Sequence, residues 1–303
     1  MSEVVETVSP RNRTLGLILG LIAVILLSGS LPANRAAVAE LSPWFMVAGR
    51  TTIGGIVAIV VLAIRRPKFP TGHVGWIVLI ALFLVVGFPT AVAVASVTVP
   101  ASHGAVVMGL LPLSTAIAAV PIAGERPSLW FWILSATGAL LVAAYTLRGG
   151  SGDIVTGDIY LAVAIVLTGI GYTLSGILAR SFPGWEVIAW PLVFTFPFAL
   201  IGLYVFWPAD ISAIRWPAWA AVLYAGIMIQ FVAYAAWNAA LALGGVSRVG
   251  QLQVLQPLFA IAIAAVVLGE IISLETILFA LAVIVVVALS RRATIRERPA
   301  PHG

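Results

Sequence analysis

The sequence predicts an all-α integral membrane protein: ten transmembrane helices, arranged as two inverted five-helix repeats around a central cavity. Three observations predict it. Hydrophobic residues make up 62% of the 303 and charged residues only 9%, where soluble domains carry roughly 25% charged. The apolar residues fall into ten stretches near the ~20 residues a helix needs to cross about 30 Å of hydrocarbon. The second half of the chain repeats features of the first at a fixed offset of 145 residues.

The stretches cover 14–33, 43–64, 74–98, 102–120, 128–147, 158–179, 187–207, 217–241, 247–267 and 273–290. The links between them hold the chain breakers, as in RRPKFPTGH at 65–73, GERPS at 124–128 and RGGSGD at 148–153. The first stretch follows Arg11 and Arg13 in the manner of a signal peptide. Its apolar run of about 20 residues is too long for a typical signal core, and it has a counterpart in the second half. With the N-terminus inside, twelve Lys and Arg fall in cytoplasmic segments and three outside (Arg35, Arg148 and Arg215). That asymmetry predicts that both termini are cytoplasmic.

The repeat is visible in LPLSTAIAAVPIAGE (111–125) and QPLFAIAIAAVVLGE (256–270). Pro112 pairs with Pro257 and Glu125 with Glu270. The same offset pairs Arg35 with Arg180, Ser30 with Ser175 and Ser102 with Ser247. The repeated units are residues 1–150 and 151–303, the second ending in a cytoplasmic tail. Five spans is an odd number, so the second unit enters the membrane inverted. Inverted repeats are an architecture of alternating-access carriers, with the substrate near the midplane between halves. A duplicated structural membrane protein is the other reading of the same pattern.

Several classes of function lose support. There is no cysteine, hence no disulfide framework, thiolate metal site or cysteine nucleophile. The three histidines (His73, His103, His302) are scattered, and no His-Glu-x-x-His or Gly-x-Ser-x-Gly motif occurs. The sequence therefore points away from an enzyme, a bound metal and a cofactor. The net charge of +5 sits in loops and tails, where it sets topology and does not call for nucleic acid. The expected partners are the lipid bilayer and a small-molecule substrate. A monomer suffices for this architecture, and the Gly16-x-x-x-Gly20 pattern suits packing within one chain as well as dimerisation.

Polar residues within spans are costly and need a partner or a cavity. The eighth stretch places Gln230, Tyr234 and Asn238 at i, i+4 and i+8, on one helical face, with Trp237 beside them. Amide, phenol and ring faces suit a zwitterion with an aromatic side chain; interhelical hydrogen bonding is the alternative use. Tyr172 and Ser175 in the sixth stretch, Gln251 and Gln256 in the ninth and Thr115 in the fourth complete the candidate substrate-binding set. Pro89, Pro112 and Pro257 lie inside spans, where each removes a backbone hydrogen bond, and are candidate hinges. His103 reads as interfacial, near a span end. Arg50 is the one charge well inside a span. It has three possible uses: snorkelling outward, holding backbone carbonyls, or pairing with a substrate carboxylate. No Asp or Glu occupies the centre of a span, which favours downhill flow or exchange over carboxylate-based ion coupling.

The paired segments PLSTAIAAVPIAGERPS and QPLFAIAIAAVVLGEIIS, in the fourth span of each half, resemble the EamA-type repeat of the drug/metabolite transporter superfamily. The resemblance covers nearly the whole chain, and within the superfamily it is to bacterial exporters of aromatic amino acids of the YddG type. It implies a basket of helices with spans 3, 4, 8 and 9 around the cavity and spans 5 and 10 paired at the base. It also implies that each Gly-Glu ends a helix. The function so implied is export of small amphipathic metabolites, aromatic or neutral amino acids foremost, across the bacterial inner membrane. Other metabolites or drugs are the alternative cargo.

Overall fold

The computed structural model describes residues 10–124, 126–148, 155–179, 181–244, 251–290 and 295–296. Eight of the described helices are long and apolar enough to cross a membrane: α1 (Thr14–Val38), α2 (Pro43–Arg65), α3 (Thr71–Thr98), α4 (Ala101–Ile122), α5 (Leu129–Arg148), α6 (Thr156–Leu178), α7 (Gly184–Val205) and α8 (Trp216–Ala240). Two shorter apolar helices follow, α9 (Leu252–Leu268) and α10 (Leu274–Ser290). Helices dominate for a physical reason. In hydrocarbon each backbone N–H and C=O needs a partner within its own segment, so even runs rich in β-branched residues coil. Besides helices, the described residues hold one short pairing, in which Arg126–Pro127 meets Ile295–Arg296 antiparallel.

The helix ends follow local chemistry. Ser42 caps α2, its hydroxyl accepting from the Phe45 N–H at 3.1 Å, and Pro43 supplies the first turn. Gly124 and Gly269 both take left-handed backbone, at φ 72° and 67°, and stop the helices before them. This explains half of the repeated Gly-Glu: only glycine adopts that turn without strain.

Five of the described helices are irregular. α1 turns at Gly29. α4 breaks at Gly109–Leu110 and resumes at Leu111, with Pro112 in its new first turn. α9 opens as a 3₁₀ turn over Gln251–Leu255 and becomes α-helical at Gln256, with Pro257 in the same place. α3 and α8 each contain a π-helical segment, Ala81–Gly87 and Ala225–Ala233. Shifted by 145, the first of these falls within the second. Pro89 lies in the first turn after the α3 segment. All three candidate hinge prolines thus stand where a helix restarts, where their missing N–H is cheapest.

Helices at matching positions in the two halves pack on each other: α2 runs along α7 and α5 along α10. α3 lies on α6, and α1 on the end of α8. α2 also crosses α8 through small residues. A Cβ at Gly226 would stand 2.7 Å from the Ile53 Cβ and 3.0 Å from the Arg50 carbonyl oxygen, and one at Gly54 2.9 Å from the Gln230 Cγ. Close backbone approach at glycine is a common way for helices to associate in lipid. Gly226→Leu is expected to force this crossing apart and destabilise the fold by about 1–3 kcal/mol. A thermal melt of the purified protein checks it, and an unchanged melt would mean that the crossing tolerates bulk.

Candidate functional site

The two broken helices meet. The first half of α4 packs on α9, and beside this contact a cavity is lined by Ser28, Ser30, Phe88, Met108, Gln253 and Gln256, with Pro112 and Pro257 in its wall. Hydroxyls and amides share the wall with an aromatic ring and a thioether, the mixture an amphipathic solute needs. Ser28 ties α1 to α9, its hydroxyl donating to the Gln256 carbonyl at 3.2 Å as well as to Val24 at 2.6 Å. Of the expected binding residues, Gln256 lines this cavity, as do the hinge candidates Pro112 and Pro257. Ser28, Gln253 and Met108 were not singled out from sequence. Ser30 carried a signal, being the repeat partner of Ser175.

A second polar group is buried where α2, α6 and α8 converge. Gln230 is 1% exposed. Its Nε2 donates to the Val85 carbonyl at 3.4 Å, while its Oε1 has no partner. Val85 precedes Pro89 by four residues, so its carbonyl is the one a regular α-helix would pair with the N–H that proline lacks. Tyr234 is buried and faces Tyr172 edge-on, ring centroids 6.1 Å apart at 72°. Arg50 is 1% exposed, with Nε and Nη1 unpartnered. It holds no carbonyl among the described residues.

The rest of the expected set lies elsewhere. The Asn238 amide donates to the Gly184 carbonyl at 2.9 Å, joining α8 to the start of α7. Trp237 packs in an apolar cluster with Ala23, Val24 and Ala240. The Thr115 hydroxyl donates to Leu111 at 3.0 Å, and its carbonyl accepts from Thr173 at 3.2 Å. Ser175 is buried with its hydroxyl unpartnered. The Gln251 side chain, Glu125, Arg180 and Ser247 lie outside the described residues. The ladder 230-234-238 divides, Asn238 turning to the α7 backbone, and a π segment that ends just before Tyr234 means that spacing alone does not fix the face Gln230 takes.

One end of the cavity's walls is tied by the second half of the Gly-Glu motif. Glu270 accepts from the Ala101 N–H at 2.8 Å and the Ser102 N–H at 2.9 Å. It thereby caps α4, whose N-cap residue, Pro100, makes no side-chain cap bond. Around this clamp, His103 Nε2 meets Asp158 at 2.9 Å and stacks on Tyr145, whose hydroxyl meets Thr276 at 3.1 Å. Arg35 donates to the Ser96 and Val97 carbonyls at 2.6 and 2.7 Å, closing the end of α3. Glu40 binds the Arg215 N–H and guanidinium, both at 2.6 Å. The Arg215 N–H first, then its side chain, hold the Glu40 carboxyl below the usual carboxylate range.

Comparison with known proteins agrees with this architecture. A relative from Bacillus subtilis (strain 168), the "Uncharacterized transporter YdeK", is 40% identical over 280 residues, 92% of this chain and 98% of that protein. Its name gives no substrate, so the narrower likeness to YddG-type exporters rests on sequence resemblance alone. A solved structure, described only as "Crystal structure of protein", shares the fold with a TM-score of 0.64 at 23% identity, over 92% of this chain and 98% of that one. The EamA-like transporter family matches residues 14–147 and again residues 155–292. With both halves matched, the chain belongs to the EamA-like transporter family, within the drug/metabolite transporter superfamily.

Proposed function

We propose that this transporter exports small amphipathic metabolites, aromatic or other neutral amino acids foremost, across the bacterial inner membrane. It does so by alternating access between two inverted five-helix units, 1–150 and 151–303. The observation that carries the reading is the cavity where the broken helices α4 and α9 meet, walled by Pro112 and Pro257 and tied at one end by Glu270. Discontinuous helices near the membrane centre are where such carriers bind substrate.

The inverted arrangement has two further supports. Gln230 and Val85, which touch, are 145 residues apart. A contact between a residue and its own repeat counterpart belongs on a two-fold axis relating the units. Ties between links also join only links that a ten-span topology puts on one side. Glu40 with Arg215, Arg35 with Ser96 and Glu270 with Ala101 fall outside. Residues 126–127 with 295–296, and His73 against Phe182, fall inside. The excess of Lys and Arg on one of those sides is what supports cytoplasmic termini.

Gln256 contributes from the cavity, and Gln230, Tyr234 and Tyr172 from the buried group that opens to it as the helices move about their restarts; Ser175, three residues along α6 from Tyr172, offers its free hydroxyl from outside that group. Labelled phenylalanine or tryptophan should enter proteoliposomes holding the purified protein by a saturable route. Absence of saturable flux for every neutral amino acid would remove the substrate assignment.

A further inference from the structure

We propose that Arg50 anchors a carboxylate on the transported solute, so that the carrier selects amphipathic carboxylates over the matching amides and amines. The inference rests on the carrier reading above and adds the group that recognises cargo.

Among the described residues, Arg50 is the largest side chain that is fully buried. Its Nε and Nη1 have no hydrogen-bond partner, and neither ion pair among the described residues involves it. The other buried charged side chain described, Glu186, begins α7 and forms no ion pair with it. A guanidinium keeps its charge at neutral pH, and an uncompensated buried charge is strongly unfavourable. Ionisable groups inside a membrane protein are rare, and by default they mark substrate or ion sites. Among the described residues this one has no acidic partner, so the partner is brought by the solute.

The neighbours say what solute fits. Gly54, one turn along α2, lies against the Gln230 side chain, and the Arg50 carbonyl touches Gly226. Arg50 is within electrostatic reach of the Tyr234 hydroxyl, and Tyr234 meets the Tyr172 ring. A planar guanidinium matches a carboxylate two-pronged. The unpartnered Gln230 Oε1 accepts from an ammonium or hydroxyl, and the two phenol rings take an apolar body. A single cation is too little for a phosphate dianion, which sets phosphorylated cargo aside.

The test uses the purified full-length carrier as wild type, Arg50→Met and Arg50→Lys. Half-saturating concentrations are read by thermal stabilisation with phenylalanine and 3-phenylpropionate, and with phenylalaninamide and phenethylamine, which keep the ring and lose the carboxylate. Wild type should favour the carboxylates by on the order of ten- to a hundred-fold, as charged hydrogen bonds do. Arg50→Met should abolish the preference and, having lost no protein partner, melt no lower than wild type. Arg50→Lys should keep part of the preference. Equal response of wild type to acids and amides overturns the proposal. So does an Arg50→Met variant that keeps the preference, or one that melts well below wild type, which would make Arg50 structural. A wild type that carries amines saturably and ignores carboxylates sinks Arg50 alone. A wild type with no saturable flux of any solute sinks the carrier reading itself.

Discussion

Replacing Glu270 with alanine is expected to unlatch the end where α4 and α9 meet, and to cut transport at least tenfold while leaving substrate affinity within about twofold. Two first-turn donors of α4, the Ala101 and Ser102 N–H groups, end on its carboxylate at 2.8 and 2.9 Å. Their own N-cap residue, Pro100, provides no side-chain cap bond. Hydrogen bonds to a charged group contribute about 1.5–3 kcal/mol each, and the negative charge also meets the positive end of the helix. Losing both shifts a sealed-to-open equilibrium by one to several orders of magnitude. A cysteine at Ala105, which lines the cavity and is 1% exposed, should then react with a water-soluble maleimide at least ten times faster. Glu270→Gln, which keeps an uncharged acceptor, should fall between. Wild-type labelling rates at position 105 in Glu270→Ala would show that the clamp does not hold this end shut.

Much of this architecture is legible in the sequence because it depends on local chemistry. Apolar runs of about 20 residues become helices because hydrocarbon leaves the backbone no other partner. The Gly-Glu motif marks helix ends because Gly124 and Gly269 supply left-handed turns. What Glu270 binds was not legible, since its partner lies 169 residues away in the other half. The π segments were not legible either. ALFLVVG at 81–87 has the composition of any membrane helix, so nothing in it marks the widened turn. The expected ladder in α8 divides into Gln230, deep between α2 and α3, and Asn238, bound to the α7 backbone, because tertiary partners and not spacing decide where each ends. Arg50 was legible as an anomaly. Its lack of a partner among the described residues is a tertiary fact, and of the three uses open at the level of sequence it favours pairing with a substrate carboxylate.

The contrast within that ladder gives the second large effect. Gln230→Leu is expected to hold or raise stability while cutting flux at low substrate concentration by about tenfold. Gln230 is almost wholly buried, its one hydrogen bond, to Val85, is long at 3.4 Å, and its Oε1 has no partner. An unsatisfied buried acceptor costs about 1–3 kcal/mol, more than so long a bond returns. Leucine fills nearly the same volume and removes that cost. For the solute the balance reverses. The same Oε1 is the acceptor offered to it, and one such bond changes its half-saturating concentration by roughly 2- to 13-fold. Loss of the amide at the point where the two halves meet slows their rearrangement as well. Asn238→Ala is the control with the opposite signature, since its amide holds the Gly184 carbonyl at 2.9 Å. It should lose about 1 kcal/mol of stability and leave affinity unchanged. Flux and melting measured on the same preparations separate the two. A Gln230→Leu protein that melts lower than wild type and transports normally would make Gln230 a packing residue and move the substrate site to the cavity lined by Ser28, Gln253 and Gln256.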